Sequence, residues 1–370
     1  MKVYFFQDNT FFRTAKGTNP FFDPIIQVCE ENGIEWKLFT HYPSARCGYS
    51  NEKMGFYGRF DSLSIWFWRI IHLVWRVDVW RIQQLFAKSI GFFWRRKFKA
   101  DLFITIAGNM CEHLGGMFPE VRNIDIQHGV IYSKHRGYFD DTGRLREVYQ
   151  TLRQREFWLY GQGYADCFFR NHENRADLRG RVKILGDVVG HQPLPLLAER
   201  NVLAFSAQLT GDFTAEVSAE MVRRMRRFFE EAYAKYGSRL RYLLKQHPRF
   251  NHCDIEPLKA LPYLEFTDAP WPELYPQMLV HVTFSSTVCF DCASCGIPTR
   301  FEPYPENNIL DGRYYQDDYS YPYLDWSLEQ ILEEQTRDPD TLHRTIRAWY
   351  ETCYTPFSKE SCLKLLKGEM

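Results

Sequence analysis

Along the first 190 residues, short apolar runs alternate with polar turns and longer amphipathic stretches. Residues 2–7 (KVYFFQ), 34–40 (IEWKLFT), 100–107 (ADLFITIA), 121–127 (VRNIDIQ), 156–164 (EFWLYGQGY) and 181–186 (RVKILG) each have the length and the aromatic or β-branched content of a strand. Runs this continuous suit strands buried on both faces, as in a parallel sheet covered by helices above and below. Between the first two, Asn19-Pro20 opens a helical pattern that passes through Ile25, Ile26 and Cys29 and stops at Gly33. Asn caps a helix start, Pro suits the first helical position, and Gly ends the helix. The opening is therefore a βαβ unit.

A loop at 187–195, with Gly190, Pro193 and Pro195, interrupts the pattern, which then restarts. Residues 201–206 (NVLAFS), 239–245 (RLRYLLK), 262–266 and 280–283 predict strands, and 214–236, 272–278 and 288–294 predict helices. The expected fold class is α/β, two doubly wound Rossmann-type domains facing across a cleft. The expected boundaries are 1–193 for an acceptor-binding domain and 194–340 for a nucleotide-donor-binding domain. Residues 341–370 are expected to form C-terminal helices that pack back on the first domain.

Residues 56–98 break this regularity. Large aromatic and aliphatic side chains alternate with Arg69, Arg76, Arg81, Lys88, Arg95, Arg96 and Lys97, while Asp61 and Asp78 are the only acids. Cations beside Trp and Phe suit helices lying at a membrane headgroup level, the inner membrane face here. A pair of core helices carrying snorkelling arginines fits the same pattern, and both readings stay open.

Composition narrows the function classes. Lys plus Arg equals Asp plus Glu at 46 each, so nothing global argues for nucleic acid or an acidic partner. No run of about 18 uncharged apolar residues occurs, which leaves no expected transmembrane helix. The start of the chain, residues 1–8, reads as a charged residue and a strand rather than a signal peptide, so the ten cysteines are expected to be reduced in a cytoplasmic protein. Cys289, Cys292 and Cys295 have the spacing of a ferredoxin run, but the fourth thiolate is missing and the next cysteine is Cys353. No metal is expected.

The chemistry concentrates at residues 279–300, which read as strand, turn, small-residue helix and Gly-Ile-Pro stop. Its turn carries Ser285, Ser286 and Thr287, and hydroxyls beside the unpaired N–H groups of a helix start suit a phosphate. A serine that simply caps the helix fits equally well. The strand at 239–245 ends in Lys245, with His247, Pro248 and Arg249 following. In the first half, the strand at 121–127 ends in Gln127-His128-Gly129, and carboxyl ends of strands face the ligand crevice in α/β sheets. Histidine titrates near neutrality and suits a general base, with Glu112, Asp125, His135 and Asp141 as rivals to His128. Tyrosines across 304–323 suit either a sugar site or a ring-rich loop.

The Lys245, His247, Pro248, Arg249 pattern, followed some 35 residues on by Ser285-Ser286-Thr287 and Gly296-Ile297-Pro298, resembles the donor half of GT-B-fold bacterial surface-polysaccharide glycosyltransferases. Capsule sialyl- and polysialyltransferases, Kdo transferases and CDP-glycerol glycerophosphotransferases are similar, over roughly residues 100–300. The resemblance implies that His247 and Ser285/Ser286 hold the phosphate of a CMP-, CDP- or UDP-linked sugar, and that Asp291 sits where many such enzymes bind donor hydroxyls. It also implies that the Gln127-His128-Gly129 turn supplies the base, although the acidic pair of the sialyltransferases is missing, which leaves the donor sugar open. The acceptor would be a glycan or lipid-linked glycan of capsule or lipopolysaccharide, and transfer would be inverting and metal-independent. A CDP-polyol phosphotransferase, a UDP-sugar 2-epimerase-like enzyme and a non-catalytic assembly subunit are the alternatives.

Overall fold

The computed structural model describes the chain except for residues 75–78, 95–98, 109, 134, 136, 153, 154, 191–199, 212, 248, 304–313 and 370. The expected boundary at 193/194 lies outside the described residues. The chain divides into two compact units, Met1–Gly190 with Tyr354–Met370, and His191–Cys353.

Among the described residues, the first unit has seven strands: β1 (Lys2–Phe6), β2 (Glu35–Thr40), β3 (Met54–Phe56), β4 (Leu102–Ile106), β5 (Arg122–Ile126), β6 (Arg155–Leu159) and β7 (Val182–Ile184). They form one sheet in the order β3-β2-β1-β4-β5-β6-β7 with every pairing parallel. Phe5 pairs with Leu38 on one side and Ile104 on the other, and none of the three is exposed. Full burial of such a side chain contributes ~1.5–3 kcal/mol, which is why these strands read as unbroken apolar runs. The helices of this unit are α1 (Asp23–Glu31), α2 (Gly58–Val74), α3 (Val79–Trp94), α4 (Cys111–Met117), α5 (Glu147–Thr151), α6 (Gln162–Phe169) and α7 (Asn174–Leu178).

Helix α4 runs through a stretch, 108–116, whose three glycines taken alone would suggest a loop. Gly115 and Gly116 lie inside the helix where neighbours pack too closely for a side chain: a Cβ on Gly116 would meet Gln84 O and Ala87 Cβ of α3 at 2.9 Å, and one on Gly115 would meet Leu152 Cδ2 at 2.6 Å. Glycine here marks helix contact, not a loop.

The second unit holds β8 (Val202–Ala207), β9 (Arg241–Gln246), β10 (Leu264–Phe266), β11 (Met278–Thr283) and β12 (Thr299–Phe301), all parallel in the order β10-β9-β8-β11-β12. Its helices are α8 (Ala215–Tyr236), α9 (Glu256–Lys259), α10 (Trp271–Leu274), α11 (Val288–Ser294), α12 (Tyr314–Asp317), α13 (Leu328–Arg337) and α14 (Pro339–Cys353). Thr214 caps α8 by accepting from Val217 N at 3.3 Å. Met221, Val222, Met225, Phe228, Phe229 and Ala232 then recur at helical spacing and bury one stripe against Leu203, Phe205, Leu244 and Val282. The other face of the sheet packs Val202, Ala204, Leu243 and Met278 with Cys292, Cys295 and Ile297.

The aromatic segment after β12 is core in its described part. Tyr315, Tyr319, Tyr321 and Tyr323 are buried, Phe301 lies 4.6 Å from Tyr315, and Phe290 stacks on Trp349 at 4.8 Å. Cys289 and Cys292 sit in the same interior, where burial drives their thiols well above the ordinary range. The last helix, α15 (Lys359–Lys367), rejoins the first unit, where Arg122 donates to Leu365 O and Leu366 O at 3.1 and 3.0 Å. Residues 341–353 belong to the second unit instead, so the C-terminal stretch is shared between the two.

Candidate functional site

In the second sheet the strand order reverses between β8 and β11, and doubly wound sheets hold ligands at the carboxyl ends of the strands flanking that point. Gln208 follows β8, and its Oε1 accepts from Ser285 Oγ at 3.0 Å and Ser285 N at 3.2 Å. Thr283 Oγ1 donates to Ser206 O at 3.2 Å and accepts from Ser286 N at 3.0 Å, which turns the chain sharply out of β11. Ser286 Oγ accepts from Val288 N at 3.3 Å, and Tyr315 OH donates to Ser286 O at 2.7 Å. Ser285 and Ser286 are thus buried and already engaged, while Thr287 is exposed.

The loop after β8 is also bonded to the turn after β9. Asn251 N donates to Leu209 O, and Asn251 Nδ2 donates to Thr210 O, each at 3.0 Å, while Thr210 and Phe250 form an antiparallel bridge. His247 accepts at Nδ1 from Arg249 N at 3.0 Å, a bond that leaves Nε2 as the protonated nitrogen of the neutral ring. One loop, 208–210, therefore fastens both turns that the sequence singled out. Pro248 lies outside the described residues, and Arg249 is exposed. Lys245, half-buried, has its Nζ 5.9 Å from the Trp271 ring, and burial lowers its pKa. Asp291 accepts from Tyr275 OH at 3.4 Å.

Sequence reasoning missed Gln208 and Glu302. Both are the polar residue directly behind an apolar strand, the same signal that found His128 and His247. Glu302 follows β12, donates its N–H to Thr283 O at 2.8 Å, and has its carboxyl pKa raised by burial although Arg300 lies 3.3 Å away. A larger cavity of about 1200 Å³, lined by Arg200, Leu240, Leu279, Trp326 and His343, opens at the amino-terminal ends of β8, β9 and β11. That is the opposite end of the sheet from these turns.

In the first sheet the order reverses between β1 and β4. The chain leaves β4 through a turn in which Ala107 (φ 56°), Gly108 (φ 72°) and Met110 (φ 61°) are left-handed, and residues other than Gly held there cost about 1–3 kcal/mol each. A cavity of about 260 Å³ lies there, lined by Asp8 after β1, His41 after β2, Tyr57 after β3, Asp61 on α2, and Glu112 and His113 on α4. His41 Nε2 lies 2.8 Å from Asp61 Oδ2. Burial raises the pKa of Glu112, opposed by the Arg155 guanidinium. His113 bonds Ser64 Oγ at 2.8 Å, and burial pushes its pKa down to about 4, so it is neutral.

His128, two residues after β5, is half-buried with its ring edge-on to Phe11 at 5.0 Å and Phe21 at 5.6 Å. Phe11 ends a short helical turn, Asn9–Phe11, capped by Asp8, so one turn reaches from the cavity to His128. Gln127 is engaged within the fold: its Nε2 donates to Gly129 O at 2.8 Å and its Oε1 accepts from Tyr160 N at 2.9 Å, which fixes the turn. Gly129 takes φ 73°, a conformation that favours glycine. Asp125 is likewise committed, to Arg155 Nη2 at 2.8 Å, Gly108 N at 2.9 Å and Thr105 Oγ1 at 3.2 Å. Asp141 stands exposed on a turn organised by Asp140, whose Oδ1 accepts from Thr142 N and Arg144 N. Asp141 does not line the cavity.

No protein-family model matches the chain, and no curated protein matches it. Solved structures do. MnaA of S. aureus with UDP matches at TM-score 0.60 and 10% identity, covering 100% of this chain and 96% of that one. A UDP-GlcNAc 2-epimerase from Neisseria meningitidis bound to UDP-GlcNAc matches at 0.52 and 10%, covering 99% and 100%. The glycosyltransferase SnogD from Streptomyces nogalater matches at 0.52 and 13%, covering 100% and 99%. At these identities the likeness establishes the fold: the two-domain α/β GT-B architecture common to such transferases and epimerases.

Proposed function

We propose that this chain is an inverting glycosyltransferase that moves a sugar from a CMP-, CDP- or UDP-linked donor to a hydroxyl of a bacterial surface glycan. The observation that carries the reading is the loop 208–210, which bonds both the His247 turn and the Ser285-Ser286-Thr287 turn at the carboxyl end of the second sheet. As the bond from the anomeric carbon to the phosphate oxygen breaks, charge grows on that phosphate. Fixed donors already aimed at it need no reorganisation, and His247, Ser286 and Thr287 supply them. The first unit supplies the base. His128 takes the acceptor proton while the acceptor oxygen attacks the anomeric carbon, and its ring is already held by Phe11 and Phe21. The structures solved with UDP and with UDP-GlcNAc support a nucleotide-sugar substrate.

The epimerase likeness supplies a second reading, in which the same fold releases nucleotide without a glycan acceptor. Calorimetry with CMP, CDP and UDP, followed by measurement of nucleotide release with and without glycan, separates the two. The transferase reading expects one nucleotide to bind and its release from the sugar to require the acceptor. His247→Ala and Ser286→Ala should each weaken that nucleotide by roughly tenfold to 150-fold, the loss of one charge-assisted contact. Unchanged affinity in both variants overturns the donor site.

A further inference from the structure

Helices α2 and α3 pack on each other through Phe60, Phe67 and Phe86, with Phe86 5.6 Å from Phe60 and 5.1 Å from Phe67. Helix α3 also closes on α4, where Gly116 faces Ala87 and Gly91 faces Met117. These contacts occupy one side of each helix. On the other side of α2, Leu63 is 58% exposed, Trp66 63% and Ile70 43%, and Leu85 of α3 is 57% exposed. Leu63, Trp66 and Ile70 follow one another at helical spacing and form one stripe, which Arg59 begins and Arg69 flanks. Lys88 lies one turn beyond Leu85. Arg59, Arg69 and Lys88 are exposed. Among the described residues of the two helices, Asp61 is the only carboxylate, and it is turned inward onto His41. Arg76, Asp78, Arg95, Arg96 and Lys97 lie outside the described residues.

The surface thus offers large apolar side chains and cations, of which Arg81 is already paired with Glu147 of α5 while Arg59, Arg69 and Lys88 face outward. A second copy of this face would bring Arg59, Arg69 and Lys88 against themselves, a like-charge contact that disfavours self-association. An anionic bilayer satisfies both features at once: its acyl boundary takes Leu63 and Ile70, its headgroup level suits the Trp66 indole, and its phosphates meet the cations. We propose that this face of α2 and α3 docks on an anionic lipid surface. No described helix is long and apolar enough to cross a membrane, so docking would be peripheral. The first turn of α2 places Arg59 and Leu63 outward and Asp61 in the cavity beside Asp8 and Glu112. On the glycosyltransferase reading, the docked helix therefore also walls the acceptor site, as a lipid-anchored acceptor requires.

The test is sedimentation of the full chain with phosphatidylcholine vesicles, with and without phosphatidylglycerol, at low and high salt. The expected result is binding only to the anionic vesicles, reversed by salt. Trp66→Glu and Leu63→Glu should each lower the partition coefficient about tenfold or more, and Arg59→Glu with Arg69→Glu should remove the salt dependence. Circular dichroism and nucleotide-induced thermal shift of each variant should match wild type, so that loss of docking is separable from failure of the nucleotide site. Wild-type protein left in the supernatant overturns the proposal. So does a Trp66→Glu variant that binds vesicles like wild type, or one that changes the mass in solution, which would make a second copy the occupant.

Discussion

The two sheets share one strand order about their reversal points, β3-β2-β1-β4-β5 in the first unit and β10-β9-β8-β11-β12 in the second, yet they carry different chemistry there. The first unit collects titratable groups, Asp8, His41, Asp61, Glu112 and His113 around the cavity, with His128 one turn away. The second collects mainly hydroxyls and an amide, Ser285, Ser286, Thr287 and Gln208, around the imidazole of His247, with Lys245 and Glu302 as the titratable neighbours near the ends of β9 and β12. Titratable side chains can move protons, whereas hydroxyls and amides present the same dipoles at every working pH. One architecture thus carries a mainly titratable end and a mainly hydroxyl-and-amide end, to which we assign proton transfer and anion holding, and the difference lies in the residue types that follow the strands.

The sharpest way to break that contrast is to delete the proposed base. His128→Ala should lower turnover by about 10²- to 10⁴-fold and leave nucleotide affinity by calorimetry unchanged, because the base acts only in the transition state. His41→Ala and Glu112→Gln assayed beside it test the cavity residues. If His128→Ala keeps more than about a tenth of wild-type turnover while one of these is inactive, the proton leaves through the cavity instead.

Next in size is the buried pair beneath the first reversal point. Asp125 and Arg155 are 1% and 0% exposed, and the guanidinium also lies 4.3 Å from the Tyr149 ring. Arg155→Ala strands a carboxylate in the interior and should cost about 3–5 kcal/mol in denaturant unfolding. Adding Asp125→Asn should recover a large part of it, since the loss comes from an uncompensated charge. A single variant as stable as wild type would mean that water reaches Asp125.

Much of this was legible in the sequence, because burial on both faces writes a strand as a continuous apolar run. The βαβ opening, the long capped helix α8 and the strand, turn and helix around Ser285 all follow from such local signals. What escaped depended on distant partners. Gly115 and Gly116 signal a loop until Leu152 and α3 are seen to lie across them, and the bonds of Asp125 to Arg155 and of Gln127 to Tyr160 N join residues far apart in the chain. The cavity escaped for the same reason: Asp8, His41, Asp61 and Glu112 come from four separate segments, two loops and two helices, and only the parallel register of β1, β2 and β4 brings these segments together.

A smaller effect sharpens the proposed anion-holding end. Gln208 touches no reacting group, but its Oε1 takes both the hydroxyl and the N–H of Ser285. Gln208→Ala leaves that turn without its anchor and should weaken nucleotide binding by roughly tenfold, about 1.4 kcal/mol. Gln208→Glu, which keeps an acceptor but adds negative charge beside the phosphate, should weaken it further and with a salt dependence. Equal affinities for the two variants would reduce Gln208 to a spacer.

The last of the expected effects asks how the second unit responds to pH. His281 lies inside its sheet, unexposed, bonded to Ser206 Oγ at 2.9 Å and Thr299 Oγ1 at 3.0 Å, and burial pushes its pKa down to about 3. An ordinary unfolded histidine titrates near 6.5, so between these two values the unfolded chain binds a proton that the folded chain refuses. The sign follows: the stability from this site is fully present above 6.5 and is lost as pH falls from there toward 3. Between pH 7 and pH 5 the loss from His281 is at most about 2 kcal/mol. His281→Gln keeps a group that bonds Ser206 and does not titrate, so its unfolding free energy should fall less steeply over that interval, even if it starts lower. His343, which burial holds at about 4, is unchanged in that variant and leaves a residual slope of the same sign. Identical slopes for wild type and His281→Gln would show that the folded sheet accepts a charged imidazole, and the second unit would then have a proton-sensitive group at its centre.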